Sequence, residues 1–421
     1  MHCVCLGVIR YMILLWISNH HSKQPWYLSK KKLAILNKRL LNSKPPYDIS
    51  RTPRTLDNIQ FWKASEFRAF ALYYFALLEG ILPDPFFSHF ANLSYALGVL
   101  LQESVPAESV ERVGVLLEDF VKEFELLYGQ QHVTYNIHLL THLSKSVLDW
   151  GCLWSTSTFI PEWFNGQLQG LTNGTQAVIE QMASLYLMKN SVRNQALCLF
   201  QNRTAVPLNI SKLISKMICL PINYQFQNLK NLNVSGKTVV NLLGKPVLRK
   251  LSLDEQSIVE NILLQQTKHE IGDKDREKIV KKIENNACAF YRRLEFKSPC
   301  NSIFTTAAYV RSKKRINYCA LLEDGRFFLM ESFVYVDEAI ENFKVFIFGR
   351  SMGHEFRQIF SPWLMGKQFA SFPGQTAKLA GLGDLEAIFP HQVSKKCVVA
   401  AFNSLLPSFI VTALTNTVES D

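Results

Sequence analysis

Two different hydrophobic periods divide this chain, and no single-layer fold accommodates both. In the first half the apolar residues Phe67, Phe70, Ala71, Tyr74, Leu77, Leu78 and Ile81 recur at helical spacing, until Pro83 and Pro85 interrupt the pattern. Val113, Leu116, Leu117, Phe120, Phe124 and Leu127 repeat it up to Gly129, and shorter helices are expected at 87–102, 136–148 and 175–189. In the last third the period falls to that of strands. Asn317–Glu323 and Arg326–Met330 flank Asp324-Gly325, a dipeptide that tolerates the positive φ of a tight hairpin turn. Phe333–Val336, Lys344–Phe348 and Lys396–Phe402 read as further strands.

The fold class expected is therefore α+β, with a mainly helical N-terminal region followed by a small, mostly β C-terminal domain. Residues 1–195 form the helical region, and 196–285, with Pro207, Pro221, Gly236, Gly244 and polar helical stretches near 254–266 and 275–285, read as a connector. Residues 286–410 read as a small β-barrel or sandwich and 411–421 as a tail. At 421 residues with 48% hydrophobic and 19% charged side chains, the chain can build proper cores.

The apolar run Met1–Ile17 carries His2 and Arg10, its unbroken part from Tyr11 to Ile17 is short, and no small-residue cleavage site follows. It reads as a buried helix, not a signal or an anchor, and no membrane partner is expected. Nine scattered cysteines without a Cys-x-x-Cys pair point to a reducing compartment, nuclear or cytoplasmic, and argue against secretion. Five Asn-x-Ser/Thr sequons, among them Asn92 and Asn209, are of a kind that recurs by chance.

A formal charge of +11 favours polyanionic partners. It concentrates in residues 22–63, where ten basic residues, among them Lys30, Lys31, Lys32, Lys38, Arg39, Arg51 and Arg54, face only Asp48 and Asp57. Pro45-Pro46 and Pro53 make this stretch mostly loop, with one short helix near 33–41. A second basic run is Arg311-Ser312-Lys313-Lys314-Arg315, beside an expected strand. The first run reads either as phosphate contact or as solvated surface, and the second as a nuclear localisation patch, a phosphate contact or a guard against strand-edge pairing.

Several segments, taken in order, resemble transposases of the CACTA (EnSpm) type: Met1-His2-Cys3-Val4-Cys5-Leu6-Gly7-Val8, Phe61-Trp62-Lys63-Ala64-Ser65-Glu66-Phe67-Arg68, Leu127-Tyr128-Gly129, Asn136–Leu143, Trp150–Trp154 and Phe159–Gly166. They span roughly residues 1–185, and Cys152 departs from the proline expected there. The resemblance implies that residues 1–195 are the remnant and helical insertion of an RNase H-like core. It implies a magnesium pair in an intact ancestor, held by two aspartates and a glutamate, because hard divalent ions take oxygen ligands. Glu162, after Pro161, matches the final glutamate; read from the residues alone it is a carboxylate at a helix N-terminus. The preceding aspartate would fall two positions before Met1. One carboxylate cannot hold two metals, so the chain as it stands is expected to bind no magnesium and to cut no DNA. His2, Asn136, His138, His142 and Trp154 would support the former active site.

His138 and His142, four apart, share a helix face, but a Leu139 stands where the zinc-protease pattern needs glutamate, so no metal is assigned to them. No phosphate-binding Gly-rich loop precedes the three Gly-Lys pairs, and no nucleophile elbow occurs. Three functional readings remain. The first is a domesticated or degenerate transposase-derived DNA-binding protein using residues 23–63 and 311–315. The second is a truncated gene model of an active cut-and-paste transposase. The third is a scaffold whose β domain docks a protein partner or a second copy.

Overall fold

The computed structural model describes residues 2–157, 159–172, 174–201, 231–234, 238–265, 272–298, 302–309, 314–336, 344–353, 357–358, 376–401 and 408–415. The architecture is α+β, with helices mostly in the N-terminal half and antiparallel strands in the C-terminal half. One compact unit comprises Met1–Thr156 and Lys230–Asp421, and a second comprises Ser157–Leu229.

In the first unit the chain enters as a π-helical stretch, Cys3–Ile9, that runs into helix α1 (Arg10–Ile17). Val4, Cys5, Val8, Ile9, Met12, Ile13, Leu15 and Trp16 are all buried, which is why an apolar run carrying Arg10 is a core helix. Then follow α2 (Lys30–Asn42), α3 (Ala64–Ala69), α4 (Asp84–Leu100), α5 (Ala107–Tyr128), α6 (Tyr135–His138) and α7 (Leu143–Trp150). Past α3 the expected single helix tightens and loosens, through a π turn at Phe70–Tyr74 and a 3-10 turn at Phe75–Leu78. Every residue from Ala69 to Leu78 is buried, so an all-round apolar segment keeps its contacts by changing its winding, which hydrophobic spacing does not encode. Helix α5 buries Val113, Leu116, Leu117, Phe120 and Phe124 and stops at Gly129, whose φ of +94° suits glycine. Tyr128 closes the bundle by accepting a 3.0 Å hydrogen bond from Trp16 Nε1.

The strands of this unit are β1 (Ser43–Lys44), β2 (Asn231–Val234), β3 (Thr238–Leu243), β4 (Val247–Arg249), β5 (Cys288–Tyr291), β6 (Arg293–Ser298), β7 (Ile303–Thr305), β8 (Cys319–Leu322), β9 (Phe327–Tyr335), β10 (Val345–Met352), β11 (Arg357–Gln358), β12 (Thr376–Ala380), β13 (Leu382–Ile388), β14 (Val393–Ala401) and β15 (Ser408–Ala413). The larger sheet runs β11-β12-β15-β14-β8-β9-β10-β13, with β1 added on β14, β5 on β9 and β4 on β5; the smaller runs β2-β3-β6-β7. The hairpin expected at Asp324-Gly325 joins β8 to β9, and Gly325 has φ +87°.

Strand alternation explains the layers. Val345 and Ile347 of β10 face a core shared with Val240, Leu242, Leu294 and Phe296 of the smaller sheet. Phe346 and Phe348 face the other way, toward Val259, Leu263, Ile279 and Ile283. Those four belong to the helices Leu253–Gln265 and Asp273–Asn285, expected as connector. Polar on most faces, each helix still carries enough apolar residues to cover one side of the sheet, and β3 completes the opposite layer. Strand β3 and both helices of the expected connector thus contribute to the core, and the expected tail begins inside β15, where Val411 and Ala413 are buried.

The second unit holds helices α8 (Phe159–Gln169) and α9 (Val178–Gln201). They meet through Phe164 and Tyr186, edge to face at 5.9 Å, and through Lys189 Nζ, which donates to Gln167 Oε1 at 3.3 Å.

Candidate nucleic-acid interface

Helix α2 carries the densest positive charge. Its span Lys30–Asn42 contains no acidic residue, and Ser29 caps it by accepting from the backbone N–H of Lys32 at 3.4 Å. Leu36, Asn37 and Leu40 turn inward, while Lys30, Lys31 and Lys38 are exposed and Lys32 is half-buried. Among the described residues none of these four lysines is paired with a carboxylate. Three of them occupy the first turn, where the macrodipole favours negative charge. They work against the helix, whereas Arg112–Glu108, Lys278–Asp275 and Lys281–Glu277 support theirs at three- or four-residue spacing.

The chain leaving α2 is bonded to the β strands. Ser43 stands opposite Ala400 in the β1–β14 ladder, and Tyr47 donates its backbone N–H to Asn317 Oδ1 at 2.9 Å. Arg315 reaches the same segment. Its guanidinium donates to the carbonyls of Pro46 (2.8 Å), Ile49 (2.5 Å) and Ser50 (2.7 Å), and it lies 5.1 Å from the Tyr47 ring centroid. Ser50 precedes the exposed Arg51, and Arg315 follows the exposed Lys314. Two basic runs more than 250 residues apart in sequence thus meet at one loop.

Not every expected phosphate ligand is positioned as one. Arg39 donates to Leu77 O at 2.7 Å and Glu79 O at 2.8 Å, and burial lowers its pKa against the opposing pull of Glu79. Arg54 grips buried Glu66 with two bonds of 2.7 and 2.6 Å, and that ion pair raises its pKa. Glu66 also accepts from the backbone N–H of Lys63 at 2.9 Å, so the Lys-Ala-Ser-Glu motif is a helix start locked by an arginine. Arg39, Arg54 and Arg315 therefore hold the fold together. Arg311 and Lys313 lie outside the described residues. Sequence reading missed Asp48 and Lys396, which join the α2 segment to β14; the signal available was a lysine inside an apolar strand, which burial obliges to find a partner.

The residues assigned to a former active site belong to both units, His2, Asn136, His138, His142 and Trp154 to the first and Glu162 to the second. His2, half-buried, leads into the π-helical stretch. Asn136 packs against that stretch: its Oδ1 lies 3.4 Å from Cys3 Sγ, and a Cβ on Gly7 would come within 2.6 Å of its Nδ2. The motif Met1–Val8 and the motif Asn136–Leu143 are thus neighbours, and a side chain at 7 would have to displace that of Asn136. His138 and His142 are exposed, with their Nε2 atoms 3.4 Å apart. Trp154 donates to Gln102 O at 3.1 Å. Glu162 is exposed in the first turn of α8, in the second unit. Asp149, the carboxylate before it in sequence, is 3.1 Å from Lys145. Among the described residues no three His, Cys, Asp or Glu side chains are gathered for a metal ion. No described helix is long and apolar enough to cross a membrane.

Compared with family models, curated proteins and solved structures, the chain matches none.

Proposed function

We propose that this is a transposase-derived DNA-binding protein whose own 421 residues bind a duplex without cleaving it. The observation that carries the reading is the meeting of the two basic runs at the 46–50 loop, beside a helix whose unpaired lysines oppose its own dipole. Charge in that position costs helix stability, and a phosphate group would offset the cost by accepting from the first-turn lysines and the free N–H groups behind them. The contact surface is Lys30, Lys31, Lys32, Lys38 and Arg51, with Lys44 and Lys314 at its margin. Descent from a CACTA-type transposase rests on the quoted motifs, and with it go a nuclear or cytoplasmic location and, in an intact ancestor, magnesium.

An electrophoretic shift of duplex DNA at low ionic strength tests the reading. Binding is expected, and it should be lost in Lys30→Glu/Lys31→Glu/Lys32→Glu. Because glutamates in the first turn suit the macrodipole by about 0.3–1 kcal/mol each, that variant should fold at least as well as the parent, so lost binding cannot be charged to unfolding. Failure of the parent to bind, or undiminished binding by the variant, would remove the proposal. Magnesium-dependent nicking by the purified chain, abolished in Glu162→Gln, would instead mark a competent nuclease.

A further inference from the structure

The histidines at 138 and 142 sit on the surface where α6 passes through a 3-10 turn into α7. Their Nε2 atoms are 3.4 Å apart, long for a hydrogen bond, and their rings are nearly perpendicular with centroids 5.1 Å apart. Two nitrogens bound to one ion at about 2.05 Å with a tetrahedral angle lie about 3.3 Å apart, so the pair already has the bite of a chelate. The nearest basic residue along the helix, Lys145, is engaged by Asp149 at 3.1 Å. The backbone is pinned as well, since Thr141 Oγ1 donates to His138 O at 2.8 Å.

The molecule holds a useful contrast. His21 and His132 also meet edge to face, at 5.3 Å, but His132 Nδ1 is bonded to Tyr11 Oη at 2.8 Å within an aromatic cluster that includes Trp26. Burial and the neighbouring His21 lower the His132 pKa, so that ring serves packing. Among the described residues His138 and His142 sit in no such cluster.

We propose that His138 and His142 form a two-point binding site for one borderline divalent transition ion, zinc, nickel or copper, with the remaining coordination positions open to water or to a donor from another molecule. Imidazole nitrogen suits these ions and discriminates against magnesium, which demands oxygen ligands and near-octahedral geometry. The site is independent of the DNA reading, because neither histidine belongs to the basic surface.

Calorimetric titration of the full chain with zinc chloride, nickel chloride and magnesium chloride tests it. Zinc and nickel should each bind one ion per chain at this site, and magnesium should give no heat. His138→Ala and His142→Ala, both at exposed positions, should each weaken zinc binding at least tenfold, whereas His20→Ala, also exposed, should leave it unchanged. Circular dichroism of the variants confirms that they fold. Absence of zinc binding by the parent at 100-fold excess, or zinc affinity in either single variant equal to that of the parent, would overturn the proposal; so would magnesium competing with zinc at equal concentration.

Discussion

Lys396 Nζ lies 2.7 Å from Asp48 Oδ2, joining the middle of β14 to the loop that follows α2 across 348 residues of sequence. The lysine side chain is 2% exposed and the carboxylate 27%. Ile303 O accepts a second bond from the ammonium at 2.8 Å, Phe304 lies 5.0 Å below it, and Ser302 Oγ donates to Asp48 at 3.1 Å. The buried charge is thus fully partnered, and its partners come from both halves of the first unit.

Removing one partner should cost more than removing both. Asp48→Ala leaves a buried ammonium with a single carbonyl and is expected to destabilise by about 3 kcal/mol. Lys396→Met keeps the stem and discards the charge, so it should cost less, and the double variant should be more stable than Asp48→Ala alone. Urea midpoints of the three variants and the parent close the cycle; a double variant no better than Asp48→Ala would show that the pair is not coupled.

Gly349 occupies a bulge where β10 shifts register against β9. A Cβ there would stand 2.0 Å from Leu329 O and 2.6 Å from Phe328 Cε1, and backbone at that distance cannot give way as a side-chain tip can. Gly349→Ala should therefore destabilise by about 3 kcal/mol, with thermal unfolding as the readout. An unchanged midpoint would mean that the strand can slide to accommodate a methyl group.

Much of this architecture is legible in the sequence because it is local. The stripe from Val113 to Leu127 and the Asp324-Gly325 turn state period and turn geometry within a few residues, and both elements formed. The candidate interface was legible only as composition. Arg39, Arg54 and Arg315 read like their neighbours, but what distinguishes them is a set of carbonyls and one carboxylate supplied by other segments: Leu77, Glu79, Glu66 and Pro46 to Ser50. The helices Leu253–Gln265 and Asp273–Asn285 misled for the opposite reason. In Asp273–Asn285 the buried Ile279 and Ile283 are outnumbered by charge, and a short apolar stripe suffices because Phe346 and Phe348 supply the rest of the layer.

His89 makes stability depend on pH. Its ring is buried, stacked on Phe120 with centroids 3.9 Å apart, and its Nε2 lies 2.9 Å from Phe120 O, a contact that needs the N–H on that nitrogen. Burial pushes its pKa down to about 4, with the Phe120 carbonyl pulling the other way. The unfolded chain protonates this histidine near 6.5 while the folded chain resists, so the unfolded state holds more protons between those values. Stability should therefore be full above pH 6.5 and fall by roughly 3 kcal/mol on acidification to pH 4. His89→Phe, which cannot titrate, should flatten that part of the urea-midpoint profile. A parent profile with no slope between pH 6.5 and 4 beyond that of the variant would refute the assignment.

Salt dependence separates a phosphate surface from general stickiness. Each neutralised phosphate of a duplex contributes about −0.9 to the slope of log Kobs against log salt, so four or five contacts from Lys30, Lys31, Lys32, Lys38 and Arg51 give a slope of about −4. Lys31→Glu/Lys38→Glu removes two exposed contacts on α2 and should reduce the magnitude of that slope by about 2 while weakening binding to all sequences alike. Arg54→Lys touches a residue committed to Glu66 and should lower stability with the slope unchanged, since lysine cannot reproduce the two-point grip on the carboxylate. Fluorescence anisotropy of a labelled duplex between 50 and 200 mM salt measures all three slopes. If Arg54→Lys alters the slope as much as the α2 pair does, the contact surface is not the one that the fold leaves unpaired.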